Sequence, residues 1–328
     1  MKSPFTGKEM RAAREWRDMT FRKETFGVMF HYYICEDTGE QFEDEQFSLL
    51  NHNQVVNQYR IKHHIPFPEQ IKEVRLKYEL SAARISDILG MGANSWRNYE
   101  DGEMPSKANA NLIQMISNPE YFGDYLRLYS ELTEKERDRI LNHLQKLETG
   151  ACSCYNPFNR FNSQPDITTG LKAFSETKTK QVVAFFAERL QPYRTKLNKL
   201  MFYSDFCHFR MVGQSITGLR YNAIQYGPVP YKYEILFDTL SDLNFIEIEY
   251  GMTINGEVEK IVPASHYKFE TSLFTPSEIA TLEYIADKFK GTTANEIVEI
   301  SHQEPAWKAN FDEKKIIPFY YAFDLEMV

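Results

Sequence analysis

The sequence predicts a multidomain α+β protein, and three observations carry that prediction. Its 328 residues exceed what one small domain needs. The residue pattern changes along the chain, from alternation in "TFGVMFHYYIC" to helical spacing over 66–148 and then to a mixture of both. A stretch at 149–170, "TGACSCYNPFNRFNSQPDITTG", loses periodicity and gathers Gly, Pro, Asn and Ser.

Residues 1–65 read as a small β-rich domain, an antiparallel sheet of aromatic and β-branched residues followed by a helix from about 45 to 59. Residues 66–148 read as a helical domain. Pro68 suits a first helical turn, and Ile71, Val74, Leu76 and Leu80 supply its apolar side. Ser81 caps a second helix carrying Ala82, Ile85, Ile88 and Leu89. "GMG" at 90–92 breaks the chain, and a third short helix runs from about 93 to 99. Thr133 with Glu136 forms a capping box ahead of "RDRILNHLQKL".

Residues 149–170 read as a linker. Beyond it, 171–328 read as an α+β domain. "TKQVVAFFAERL" and "TKLNKLMFYSDFCHFRM" have helical character; "LRYNAIQ", "FIEIEYG" and "VEKIVP" have strand character. Thr275, Pro276 and Glu278 open a further helix.

Composition narrows the function classes. Hydrophobic residues at 42% support buried cores, and no apolar run approaches the roughly 20 residues of a membrane helix. The N-terminus is polar and has no signal-peptide core, so a cytoplasmic protein with no membrane partner is expected. Cysteines 35, 152, 154 and 207 form no disulfide framework, and "CSC" is a poor metal spacing, so reduced thiols are expected. A net charge of −8 argues against indiscriminate polyanion binding but permits one small DNA-reading module.

The strongest chemical signal is "SAARISDILGMGANSWRNYEDG", two short helices around a glycine turn, the helix-turn-helix pattern. At about 100° per residue Trp96 and Tyr99 share one face and point to the core. Asn94, Arg97 and Asn98, with Ser95 beside them, form the DNA-binding candidates. Asn pairs with adenine N6 and N7, and Arg with guanine O6 and N7. The bland alternative is a solvated surface helix, since the charges around it nearly cancel. Lys72, Lys107, Arg11, Arg14, Arg17 and Arg22 are candidate phosphate contacts.

Two short frames, "SPFTG" at 3–7 and "CEDTG" at 35–39, have the shape of paired zinc knuckles. Three of the four ligand positions are Ser3, Thr6 and Thr38, and only Cys35 remains. Hydroxyls do not replace thiolates around Zn²⁺, and His31 adds a second ligand at best. A metal-free relic is expected, held by Phe26, Phe30, Tyr32 and Tyr33, with no metal and no cofactor.

Residues 1–125 resemble the MqsA-type antitoxins, on the two knuckle frames, "GMGANSWRNYEDG" and "SNPEYFGDYL". In that family an Asn at the place of Asn94 and an Arg at the place of Asn98 read bases; Asn98 departs and Arg97 sits beside it. Residues 171–325 resemble the Panacea (SocA-like, GepA-like) antitoxin domain, on "KLNKLMFYSDF", "YNAIQYGPVP" and "SHQEPAWKA". The resemblance implies a toxin-neutralising domain over 171–328. Its partners would be a cognate toxin and operator DNA, and palindromic operators would imply a homodimer.

In "YGPVP", Pro228 stiffens a corner that holds Tyr226 and Gly227 at the end of a strand. Tyr226, Gly227, Pro228, Tyr203 and Trp307 are the toxin-binding candidates, each with a core or corner reading beside the functional one. No catalytic constellation emerges; Cys207 and His208 are sequence neighbours and diverge on a helix. The expected function is an antitoxin that neutralises by direct binding and represses its own operon. The alternatives are a stand-alone or phage-derived regulator and a proteolytic adaptor.

Overall fold

A computed structural model describes residues 1–129, 131–150, 156–253 and 256–328. The chain is a mixed α+β protein. Strands β1 (Arg11–Phe21), β2 (Glu24–Ile34) and β3 (Gln41–Phe42) precede helix α1 (Glu45–Lys62). Six helices follow: α2 (Pro68–Lys77), α3 (Ala82–Ile88), α4 (Ser95–Glu100), α5 (Lys107–Ile116), α6 (Pro119–Leu128) and α7 (Glu134–Gly150). Then come α8 (Glu176–Leu190), α9 (Arg194–Val212), the hairpin β4 (Tyr221–Ile224) and β5 (Gly227–Pro230), and α10 (Tyr233–Asp242). A second hairpin, β6 (Ile246–Thr253) and β7 (Gly256–Pro263), leads to α11 (Pro276–Phe289), α12 (Ala294–Gln303) and α13 (Pro305–Lys308).

These elements form two compact units, Met1–Tyr59 with Pro157–Val328, and Arg60–Asn156. The grouping differs from the three blocks expected at 1–65, 66–148 and 171–328. The N-terminal sheet belongs to the same unit as the C-terminal half. Its own core is small: Phe26, Val28, Phe30 and Tyr32 on β2 meet Val55 of α1. Further support comes from the far end of the chain. Arg14 donates to the Phe323 carbonyl and pairs with Asp324, and the His31 ring lies 4.5 Å from that of Phe323. Asn53 Nδ2 donates to the Val212 carbonyl at the end of α9, at 2.9 Å.

Helix α1 treats β2 as an edge needing partners. Asn51 Oδ1 accepts from His31 N–H and its Nδ2 donates to the His31 carbonyl, both at 2.8 Å. Gln54 does the same for Met29 at 3.1 and 2.9 Å, and Gln58 donates to the Gly27 carbonyl at 3.0 Å. A stripe of side-chain amides thus satisfies a strand's backbone where, among the described residues, no further strand runs.

The expected linker also changes character. Phe158 and Phe161 are buried in a 3₁₀ turn (Pro157–Phe161), and Asp166 caps a second one and pairs with Arg220 at 3.1 Å. Two aromatics have enough apolar surface to dock despite the polar composition around them. Cys152 and Cys154 lie outside the described residues.

The Arg60–Asn156 unit is helical throughout its regular structure. Ile71, Tyr78, Ile85, Ile88, Trp96, Ile113 and Phe122 share one core. The expected caps at Ser81 and Thr133 form, with Arg84 N–H to Ser81 Oγ at 3.1 Å and Glu136 N–H to Thr133 Oγ1 at 3.3 Å. Leu76 points outward, and the apolar side of α2 is carried by Ile71 and Val74.

Candidate functional site

The C-terminal scaffold is built around α9, whose residues from Lys196 to Phe209 are all buried. The motif "KLNKLMFYSDF" is therefore interior. Asp205 accepts from the N–H groups of Ile216 and Thr217 at 2.8 and 2.9 Å and from the Tyr221 hydroxyl at 2.7 Å. Burial raises the Asp205 carboxyl, and these donors oppose the shift. The aspartate pins the loop that delivers β4, and so positions the β4–β5 hairpin.

That hairpin turns at Gln225 and Tyr226, with Ile224 paired to Gly227. Gly227 has φ +91°, and it packs on Ser301 of α12 and Lys199 of α9. Trp307 braces the turn from outside: its Nε1–H donates to the Ile224 carbonyl at 2.8 Å, and its ring stacks on His302 and Phe311 at 4.0 and 4.5 Å. Glu304 accepts from Glu326 and Met327 N–H at 2.9 and 3.2 Å. The three quoted motifs thus converge on one hairpin.

The two lysines of "KLNK" differ. Lys196 Nζ donates to the Phe289 and Thr292 carbonyls at 2.7 and 2.6 Å. Lys199 is fully buried, and its Nζ finds no hydrogen-bond partner among the described residues. Burial pulls its pKa down to about 7.

Of the expected toxin contacts, Tyr226 stands at the hairpin tip and is 63% exposed. Gly227 and Pro228 are buried, and Trp307 is half-buried. Tyr203 has no exposed surface and stacks on Phe289 at 5.0 Å, so its side chain is part of the interior and not of the surface. Beside Tyr226 opens a groove of about 800 Å³ between α12, the start of α9 and the β6–β7 hairpin. Tyr193, Tyr250 and Glu299 line it, residues that motif reading does not single out. Alternation along β6 carries a signal for Tyr250: it shares a face with Ile246 and Ile248, yet is 71% exposed.

In the helical unit, α4 begins two residues later than expected. Trp96 and Tyr99 are buried as their spacing predicts. Trp96 Nε1–H donates to Glu100 Oε1 at 2.8 Å, and Arg75 clamps the same carboxylate at 2.6 and 2.9 Å. Asn94, Arg97 and Asn98 are exposed; Ser95 is half-buried and leans on Gly92. Asn94 sits at the N-cap with no capping bond from its side chain. The candidate phosphate contacts are divided: Lys107 is exposed in this unit and Lys72 half-buried, whereas Arg11, Arg14, Arg17 and Arg22 belong to the other unit.

The four knuckle positions come together. Thr6 Oγ1 lies 3.7 Å from Cys35 Sγ. The Thr38 hydroxyl, then Ser3, the Thr38 backbone and Thr6, hydrogen-bond the thiol and bring its pKa down to about 6. Both turns close alike, with Gly7 N–H to the Ser3 carbonyl at 2.9 Å and Gly39 N–H to the Cys35 carbonyl at 2.7 Å. One thiolate and three hydroxyls do not fit zinc. Among the described residues no three His, Cys, Asp or Glu side chains group so as to hold a metal ion.

Among the described residues no helix is long and apolar enough to cross a membrane. Residues 197–308 match the family described as antitoxin SocA-like, Panacea domain. The matched stretch runs from α9 to α13 and includes the β4–β5 hairpin and α12. It points to an antitoxin-type role. No match to the chain is found among curated proteins.

Proposed function

We propose that the protein is an antitoxin that neutralises a cognate toxin by direct binding through the discontinuous unit and represses its own operon through the helical one. The observation that carries the reading is the match of residues 197–308 to the SocA-like Panacea antitoxin domain. It is supported by an exposed tyrosine at the tip of the hairpin on which the motifs of that domain converge. DNA binding is the role proposed for α3 and α4 as a helix-turn-helix. Its support is the outward placement of Asn94, Arg97 and Asn98 over a buried Trp96 and Tyr99. A homodimer on a palindromic operator completes the proposal.

The test is co-expression with the product of the neighbouring gene. The full chain should restore growth and repress the promoter. A chain in which a Gly/Ser linker replaces Arg60–Asn156 should restore growth without repressing, because the excision follows the boundary between the units. A neighbouring product that is harmless alone, or whose toxicity this chain leaves unchanged, defeats the antitoxin reading.

A further inference from the structure

The inner face of the β6–β7 hairpin continues beyond the core it covers. Ile246 pairs with Pro263 and Ile248 with Ile261, and these residues pack inward. The same face proceeds through Tyr250 opposite Glu259 and Met252 opposite Glu257. Tyr250 and Met252 are 71% and 76% exposed, although their phase along the strand is that of buried residues. The face therefore forms one wall of the groove and has no cover among the described residues.

The groove has a charge sign. Glu257, Glu259 and Glu299 line it against one cation, Arg194. Arg194 is already engaged by Glu259 and by Asp238, the latter at 2.8 Å. Glu257 and Glu299 have no salt bridge among the described residues. Tyr193 and Tyr226 stand with Tyr250 on the walls, and tyrosine faces attract cations. Acidic groups between exposed tyrosines complement arginine and lysine side chains, which bring apolar stems as well as charge. The same charge repels nucleic acid.

We propose that this groove is the docking site for a basic segment of the partner protein, with arginine or lysine side chains set between Tyr226 and Tyr250 and paired to Glu257 and Glu299. The assignment narrows the antitoxin reading and rests on it for the identity of the partner as a toxin. The chemistry of the groove itself does not depend on that reading.

The test uses the full chain and two short fluorescein-labelled peptides, one alternating arginine with leucine and the other glutamate with leucine. The arginine peptide should bind and weaken as salt rises; the glutamate peptide should not bind. Glu257→Lys with Glu299→Lys should weaken the arginine peptide by about tenfold or more, and Tyr226→Ala with Tyr250→Ala should weaken it at unchanged charge. Asp312→Lys, outside the groove, should leave binding unchanged. Equal binding of the two peptides, or an affinity indifferent to the groove substitutions, overturns the assignment. So does sedimentation showing that the groove substitutions dissolve a self-associated state, which would give the groove to a second copy. Growth rescue is scored separately with the neighbouring gene product. Rescue without selective peptide binding removes the groove proposal alone; selective binding without rescue removes the antitoxin reading alone.

Discussion

Lys199 packs against the α-carbon of Gly227. A β-carbon there would stand 2.8 Å from Lys199 Cε, 3.2 Å from its Nζ and 2.4 Å from Ser301 Oγ. Glycine is thus required twice, by the positive φ and by the space. Gly227→Ala is expected to destabilise the protein by about 1–3 kcal/mol, read as a lower urea midpoint. Tyr226→Ala, at the exposed neighbouring position, should leave the unfolding free energy within about 0.5 kcal/mol of the parent's. Equal midpoints for Gly227→Ala and the parent would remove the packing argument.

The lysine gives stability a pH dependence. Its folded pKa is about 7, against 10.5 for an ordinary lysine. Between these values the unfolded chain holds a proton that the folded one lacks, so stability gains as pH rises through that window. Below about pH 7 both states are charged and the burial cost is present in full. Lys199→Met should therefore stabilise by an amount on the order of a few kcal/mol near pH 6, with the advantage shrinking at roughly 1.4 kcal/mol per unit as pH rises from about 7 to 10. Urea melts across that range measure it, and a pH-independent difference would contradict it.

The surface of α4 makes a separate prediction. Asn94→Ala should weaken operator binding by about 1–3 kcal/mol while leaving non-specific binding nearly unchanged. Arg97→Ala should also weaken it, with a shallower salt slope if the guanidinium meets phosphate. Both side chains are exposed, so folding is not at stake. Parent-like operator affinity in both variants would deny the helix its base-reading role.

The knuckle frame is testable as geometry. Tetrahedral ligands at 2.3 Å from zinc stand about 3.8 Å apart. The Thr6–Cys35 separation of 3.7 Å already has that spacing. Ser3→Cys with Thr6→Cys and Thr38→Cys should bind cobalt(II) with the intense near-ultraviolet thiolate absorption of a four-sulfur site, and the parent should not. A triple variant that folds and stays colourless with cobalt would show that the frame is no longer a ligand cage.

Local signals in the sequence were legible because their partners lie a few residues away. Ser81, Thr133 and Thr275 cap as read, and the spacing of Trp96 and Tyr99 places both in the core. Long-range pairings were not. The amides of Asn51, Gln54 and Gln58 read as a polar helix face until β2 is laid beside them. Phe158 and Phe161 sit in linker-like composition, yet dock once the rest of their unit is present. The site divided in the same way. "YGPVP" marks the hairpin, whereas Glu257 and Glu299 become neighbours only in the fold, and Tyr203, a candidate contact by type, lies wholly inside.

The interruption of one unit by the other sets an order on synthesis. Strands β1 and β2 leave the ribosome long before Phe323 and Asp324, the groups that His31 and Arg14 engage. Arg60–Asn156 is contiguous and can complete its core while the remainder is still being translated. A chain halted after residue 156 therefore carries the helices proposed to bind DNA, but has neither α9 nor the groove. Translational arrest would separate the two proposed activities, yielding a repressor without the means to neutralise. Only a ribosome that reaches the last turns of the chain releases a protein whose first strands, already packed on α1, also have Phe323 and Asp324 to close against.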